Sequence, residues 1–536
     1  MDNERKEEFI GLLRRDAASL RGKIYTEEKE LVKKSINDYY SDILAQKIPD
    51  EIVPLVYLQY FEILNEYAQK FESLETYENI LKAYKDIKIS NIVFDGYPIR
   101  SKLVRATTQF MYYNLIKQNA TDSQLRSKTF IKPILEAKSD LTEVYNAYLE
   151  DDDLINDGQL SRCLISLGGC LAMLSRWYEA IYYLNLAQKV DADDVNVYFL
   201  KASVLDRVEK NTCSDYNGLL LLEVIDSAKK VYDSKYYFEE TKSNYRRLAK
   251  EKRNKLAQHG VSIRELRKHK IEAFEEADSY NAYLSFCLKN ELFMTEHSIY
   301  CKCKRAIRDD ITIETDHGHT KIPYLTPYEE ILDTLSFDFI QARKNYFHSL
   351  DTTKLKGFNL HKIRRENTVE KMKIAMLKDS FKACYSIMDT IAIAILQALE
   401  IDYTKLRTKK NKKRAPNIYF TSMWTLPLFE KHHFDDNYYL QTLYSIAQEL
   451  SNESYSGLKN YKKIRNAIEH KIFHVTSEGD KPMTGVMDKD SYYSIHRREL
   501  ENKTLVLLVF TKSLLFTYVN FMRRLSVRLD ENSHHN

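Results

Sequence analysis

The side chains best suited to catalysis lie in the stretch YKKIRNAIEHKIFH at 461–474. It holds Arg465, Asn466 and His470, which can bind a phosphate, orient it and move a proton near neutral pH. In a helix, Asn466 and His470 share one face because they are four residues apart, and His474 follows one turn later. Arg465 lies about 140° around the helix from His470, within reach of a long guanidinium.

The same spacing has a simpler interpretation. Arg465 and Glu469 are also four residues apart, so they can form a salt bridge along the helix and leave His470 as a half-buried packing residue. From spacing alone this ordinary basic helix is favoured. Evidence for a catalytic site must come from the surrounding elements.

Two metal-binding interpretations are not favoured. His470 and His474 have the spacing of paired ligands on a helix, but no glutamate base of the H-E-x-x-H type lies between them. The CKC (301–303) and HGH (317–319) pairs depart from the usual C-x2–4-C and H-x3–5-H zinc spacings, so incidental residues are favoured there. No phosphate-binding glycine loop is present. We therefore expect no metal and no cofactor.

The elements that must position the motif are helices. A chain of 536 residues is too long for one core and suggests two or three domains. Only 13 glycines and 9 prolines occur, and apolar residues recur every three or four positions, which predicts an all-α fold. The 81 basic and 77 acidic residues nearly balance, so any nucleic-acid binding must come from local basic patches.

The sequence also predicts a soluble cytoplasmic protein with no membrane partner. Seven cysteines without disulfide-like spacing indicate reduced thiols. The N-terminus MDNERKEEF lacks the apolar core of a secretory signal. The longest apolar stretch, Leu505–Phe516, is interrupted by polar residues, so no spanning helix is expected.

Four regions are predicted along the chain. Residues 1–150 are successive helices. In 151–275, the 34-residue unit SRCLISLGGCLAMLSRWYEAIYYLNLAQKVDADD places small residues such as Gly168 and Ala180 where two helices approach, and it resembles a tetratricopeptide (TPR) repeat. A connector follows at 276–324. Residues 325–536 are a bundle of four long helices at about 327–350, 369–399, 437–474 and 498–529, with a loop around 475–497.

The bundle resembles the HEPN ribonuclease family. R-N-x-x-x-H near the end of the third helix is similar to the HEPN motif of an arginine, a polar residue and a histidine. SFKACYSIMDTIAIAIL (380–396) and ELENKTLVLLVFTKSLL (499–515) look like the second and last helices of one HEPN subfamily, and the similarity covers roughly residues 325–530. That subfamily commonly carries N-terminal TPR-like repeats.

The resemblance implies an endoribonuclease that needs no metal. Arg465 would hold the scissile phosphate, Asn466 would orient it, and His470 would act as base or acid. It also suggests an acidic residue near the motif, for which Asp389 is the candidate, and Arg343 is a similar supporting candidate. For both, an ordinary structural role is an equally good interpretation.

Basic residues near the motif are candidates for holding RNA. The stretch YTKLRTKKNKKRAP at 403–416 is either a solvated loop or a segment that binds the RNA backbone, and the sequence favours neither. For a second basic stretch, 236–270, a solvated helix with internal Glu–Lys pairs is favoured over an RNA-facing stripe. The residues taken as RNA contacts are Lys409, Lys410, Lys412, Lys413, Arg414 and Lys463.

The family also implies partners and a setting. Its members commonly act as homodimers with the motif helices facing each other, and they occur as toxins or in anti-phage defence. The TPR-like region would then bind a protein partner or trigger that restrains cleavage. Two alternatives stay open: a scaffold whose HEPN bundle only dimerises, and a toxin that a separate nucleotidyltransferase modifies near the motif.

Overall fold

The computed structural model describes residues 3–46, 48, 52–86, 97–119, 128–211, 217–313, 326–350, 368–401, 419–425, 438–451, 459–476 and 492–533. Within these ranges the chain is almost entirely helical, so the all-α prediction is confirmed. The described residues up to Met173 form one compact unit, and those from Leu174 onward form a second.

The first unit is a series of helices in which each packs against the next. Its core is rich in buried tyrosine and phenylalanine, including Tyr40, Phe61 and Tyr67. At Gly169 an added Cβ would lie 2.2 Å from the Phe110 ring, so only glycine fits there. The helices are α1 Asn3–Thr26, α2 Lys29–Ala45, α3 Val53–Phe71, α4 Leu74–Asp86, α5 Tyr97–Asn119, α6 Lys128–Glu150 and α7 Asp157–Met173.

The second unit begins with further helices, of which α8 to α11 each pack on the next and α12 packs on α10. Small residues allow the close approach, as at Ala202, Ala228 and Ala249 in one buried cluster. This stacking is consistent with helical repeats, and their assignment as TPR stays a prediction. The helices are α8 Trp177–Val190, α9 Val195–Asn211, α10 Gly218–Tyr232, α11 Glu239–Gln258, α12 Ile263–Ala277 and α13 Ala282–Lys289.

The basic helix α11 pairs with carboxylates of α9. Lys252 is 1% exposed, and its Nζ lies 2.7 Å from Asp206 Oδ1 and 2.9 Å from Glu209 Oε2. Lys255 also pairs with Glu209. These carboxylates neutralise part of the basic stretch at 236–270, and Lys252 is buried rather than solvated.

The C-terminal helices form a bundle: α14 Thr326–Leu350, α15 Thr368–Ala398, α16 Tyr438–Ser451, α17 Lys459–His470 and α18 Arg497–Ser533. The predicted third helix, 437–474, is wrong as one element, because its described parts are α16, α17 and a strand. That strand, β1 Ile472–Thr476, pairs in parallel with β2 Tyr492–His496, and Ile472 lies opposite Tyr492. The first strand begins inside the predicted helix and ends in the predicted loop, and the second lies wholly within that loop.

Helix α8 is built into this bundle through a buried arginine. Arg176, at the N-cap of α8, is fully buried and donates to Glu179 Oε2 at 2.6 Å and to Glu449 Oε2 on α16 at 2.6 Å. Its guanidinium also lies over the Phe510 ring of α18, 5.0 Å from the centroid. The second unit therefore joins repeat-like and bundle helices in one core.

Two bundle helices are long and apolar enough to cross a membrane by length and composition alone, which the sequence analysis did not expect. They are Val369–Ala398, with 50% of its apolar window buried, and Arg497–Leu525, with 89% buried. Burial of this kind is what core helices of a bundle show. The six cysteines in the described residues are free and buried.

Candidate active site

Helix α17 carries the R-N-x-x-x-H motif and is fixed by its apolar face. Tyr461, Ile464 and Ala467 recur at helical spacing and are 0–1% exposed. The Tyr461 ring stacks 5.9 Å from Phe381 of α15. Burying this face turns the charged face of α17 away from the core.

The motif residues lie together on that outer side. Arg465 Nη1 donates to Asn466 Oδ1 at 3.2 Å and lies 3.3 Å from Glu469 Oε2. His470 is the last residue of α17; its side chain is 71% exposed, and Nε2 lies 3.6 Å from the same Glu469 oxygen. The salt bridge of the simpler interpretation is thus present, but His470 is exposed rather than half-buried.

His474 does not share a helical face with His470, because α17 ends at His470 and His474 lies in β1. Its ring stacks on Tyr492 of β2, with 6.1 Å between centroids. The spacing of the two histidines therefore does not describe a pair of helical metal ligands.

Asp389 of α15 lies beside the motif. Its Oδ1 accepts the Phe420 amide at 2.9 Å. Burial raises the pKa of its carboxyl above the usual value, while the Phe420 amide and the Arg465 charge oppose the shift. The Arg465 guanidinium also lies 6.0 Å from the Tyr419 ring. Nothing in the sequence singled out Tyr419 or Phe420, whose proximity to the motif is a tertiary contact.

Arg343 is 1% exposed in the core and has a different environment from the one expected of a supporting site residue. Its guanidinium donates to Asp309 at 2.9 and 2.7 Å, to the Leu292 carbonyl at 2.7 Å and to the Tyr283 hydroxyl at 2.9 Å. These bonds tie α14 to the segment before it. We assign Arg343 a structural role and withdraw it from the site.

Most of the candidate RNA contacts, Lys409, Lys410, Lys412, Lys413 and Arg414, lie outside the described residues. Lys463 is described and exposed on α17. Two further lysines near the motif are exposed and were not among the predicted RNA contacts. Lys462 lies in α17, and Lys471 directly follows it. The motif face therefore carries extra positive charge, which suits a phosphate ligand.

The arrangement provides one imidazole, one guanidinium and one amide on a surface open to solvent. An exposed histidine can exchange protons with a substrate, and an arginine can hold two phosphate oxygens through its paired N–H groups. Glu469 partly satisfies Arg465, so an anionic ligand would have to displace or share this carboxylate. The chemistry of this arrangement would suit binding a phosphate and transferring a proton.

Residues 319–524 match the model of the LA2681-like HEPN family. The match spans the described bundle from α14 into α18, including the motif helix α17. The C-terminal part of the chain is therefore a HEPN domain, and since HEPN domains are commonly ribonucleases, a nuclease-type enzyme is supported at that level. No curated protein and no solved structure matches the chain.

Proposed function

We propose that this protein is a cytoplasmic endoribonuclease that cleaves RNA by attack of its own 2′-hydroxyl, without a catalytic metal ion. The observation that carries the proposal is the exposed Arg465-Asn466-His470 face of α17 within a HEPN domain.

In this mechanism a base removes the proton from the 2′-hydroxyl, and the resulting oxygen attacks the adjacent phosphorus. The bond from phosphorus to the 5′-oxygen breaks, and an acid protonates that oxygen. The products are a 2′,3′-cyclic phosphate and a 5′-hydroxyl. His470 takes the role of base or acid, because an imidazole changes charge near neutral pH.

Arg465 holds the scissile phosphate and compensates the negative charge that builds up on its oxygens. Its present partner, Glu469, must yield to the phosphate, and the exchange is modest in cost because a partly exposed helix pair is weak. Asn466, which already accepts a hydrogen bond from Arg465, aligns the guanidinium. Asp389 adds a negative charge behind Arg465 and positions it.

One chain supplies a single exposed His470, whereas the reaction uses both a base and an acid. A homodimer with the two α17 helices facing each other would bring two copies of the triad to one RNA backbone. Lys462, Lys463 and Lys471 would then flank the cleft, and the basic residues at 403–416 stay candidate RNA contacts. The exposure of the motif face leaves it available for such pairing.

The helices before the bundle suit a regulatory role. A TPR-like array would bind a protein partner or trigger and restrain cleavage, as expected for a toxin or an anti-phage defence protein. The buried Arg176 cluster joins α8 to α16 and α18. A change in α8 on partner binding would therefore be transmitted to the bundle helices.

The test compares wild type with His470→Ala, incubated with RNA in EDTA. We expect wild type to yield 2′,3′-cyclic phosphate ends and His470→Ala to lose at least about 100-fold in rate, since it lacks the proton-transfer group. His259→Ala is the matched control, because His259 is another exposed histidine at a helix end, after α11. Equal cleavage by wild type and His470→Ala would contradict the proposal.

The alternative function is a scaffold whose HEPN bundle dimerises and recruits partners through the repeat-like helices. It predicts that wild type and His470→Ala form the same dimer and that neither cleaves RNA. Modification by a nucleotidyltransferase would instead add a nucleotide mass near α17 when such an enzyme is co-expressed.

A further inference from the structure

A second cluster of chemically active side chains lies away from the motif helix. His269 on α12 and three residues of the irregular segment after α13, His297, Cys301 and Cys303, bring one ring nitrogen or sulfur each within 4.8 Å of one another. Four ligands of a tetrahedral zinc ion, at about 2.0–2.3 Å from the metal, lie roughly 3.3–3.8 Å apart. The cluster is thus close to the geometry of a single zinc site.

The two sulfurs are sheltered from solvent and lie in one tight turn. Cys301 and Cys303 are each 5% exposed, and the Cys303 amide donates to Cys301 Sγ at 3.4 Å. Lys304 pairs with Glu276 at 2.8 Å, which holds this C-x-C turn against α12.

His297 has the bonding pattern of a metal ligand. Its Nδ1 lies 3.3 Å from the Tyr300 hydroxyl, while Nε2 is buried and has no hydrogen-bond partner among the residues that the structure describes. Histidines that bind zinc commonly donate from one ring nitrogen to a neighbour and use the other for the metal. A buried ring nitrogen without a partner is otherwise costly.

We propose that His269, His297, Cys301 and Cys303 form a structural zinc site. Two thiolates and two imidazoles select a soft or borderline ion over Mg²⁺ or Ca²⁺, and two thiolates balance the charge of Zn²⁺. Four protein ligands leave no open position for substrate, so the site is structural rather than catalytic. It is separate from the phosphate-binding face of α17.

The site would fix a segment that has little regular structure of its own. Residues 290–313 contain only one short 3₁₀ turn, Glu296–Ile299, among the described elements. The segment nevertheless supplies Asp309 to Arg343 of α14 and Glu296 to Arg523 of α18, at 2.7 and 3.0 Å. Zinc would tie α12 to this segment and so stabilise its contacts with the bundle.

The sequence did not reveal this set. The C-x-C pair was weighed with His317 and His319, which lie outside the described residues. Its actual neighbours, His269 and His297, are far apart in sequence and follow no zinc spacing, so only the fold brings them together.

The experiment measures metal content, cobalt spectra and thermal stability of the purified full-length chain. We expect one zinc ion per chain, a tetrahedral sulfur–nitrogen ligand-field spectrum after exchange with Co²⁺, and a lower Tm after chelation that zinc restores. His269→Ala and Cys303→Ser should each retain less than about a tenth of the wild-type zinc under dialysis. His269 lies on an exposed helix face, so its variant keeps the fold, and His259→Ala should bind zinc like wild type.

A zinc-free wild type without a cobalt spectrum would overturn the proposal, as would unchanged zinc content in both ligand variants or a Cys301–Cys303 disulfide in the freshly purified chain. Because chelation would also weaken the fold, RNA cleavage in EDTA is read beside the Tm in the same buffer. If cleavage is lost in EDTA while the measured zinc content and the Tm both stay unchanged, the result counts against the metal-free nuclease and not against the structural site.

Discussion

Arg176 and Arg465 belong to the same unit and have opposite surroundings. Arg176 is fully buried, with two carboxylates and an aromatic ring around it. Arg465 is 24% exposed, with one partly exposed carboxylate and an exposed histidine beside it. A buried charge must be fully paired to be tolerated, whereas a partly paired surface charge can change partners. An arginine alone does not indicate a binding site. An arginine whose N–H groups can still bond to a ligand does.

The strongest test of this comparison is Arg176→Met. It removes the guanidinium that bonds to both buried carboxylates, Glu179 and Glu449, so we expect the free energy of unfolding to fall by about 3–5 kcal/mol. Denaturant unfolding measures the loss. Adding Glu449→Gln should recover part of it, since one of the two buried negative charges is then removed. A single variant as stable as wild type would refute the claim that the buried cluster is structural.

Lys512 of α18 is a buried cation with incomplete pairing, and it gives a pH test. Its Nζ donates to the Glu291 carbonyl at 2.5 Å and contacts Ser298 Oγ at 3.4 Å, and burial lowers its pKa from 10.5 to about 8. Between these values the unfolded chain binds more protons than the folded chain, so raising the pH favours folding. Below about pH 8 both states are protonated and the penalty is complete.

We therefore expect wild type to gain stability relative to Lys512→Met between pH 8 and pH 10.5, by up to about 3 kcal/mol. Unfolding curves of both proteins at several pH values give the difference, which removes contributions from groups they share. A difference that stays flat across this range would mean that Lys512 has an ordinary pKa.

The smallest effect on stability is expected at the motif face. Glu469→Gln removes the partner of Arg465, and a partly exposed helix pair of this kind contributes no more than about 0.5 kcal/mol. RNA affinity should rise, because a carboxylate that competes with phosphate is gone. Thermal unfolding and RNA titration check the two parts. A large loss of stability in Glu469→Gln would mean that the Arg465 pair is structural in the same way as the Arg176 cluster.

The sequence predicted the helices of the bundle well and the end of its third helix poorly. The apolar spacing placed the first bundle helix at 327–350, against Thr326–Leu350 in the structure. At Ile472–Thr476 the chain pairs with a strand that starts 20 residues later, and a helical period carries no sign of such a partner. The break after His470 therefore escaped prediction.

The roles of side chains were likewise predicted well where they depend on local sequence and poorly where they depend on tertiary contacts. The triad on α17 is a local pattern, and the sequence placed its three residues together. Asp389 was also predicted to lie near the motif, and it does lie near Arg465. That prediction came from the family resemblance rather than from spacing. For Arg343 the sequence left a supporting and a structural role equally open, and the contact with Asp309 that favours the structural role is tertiary. What depends on contacts distant in sequence could not be predicted from one sequence.

The bond between Arg176 and Glu449 also sets an order of events during protein synthesis. Its two residues are 273 positions apart, and Asn520, which donates to the Tyr178 hydroxyl, is 342 positions from that residue. Helix α8 leaves the ribosome before α16 and α18 and cannot complete its core until both have been made. Because domains fold as units during synthesis, the second unit stays unfinished until α18 appears. The motif helix α17 would thus gain its final position only after α18 has been synthesised.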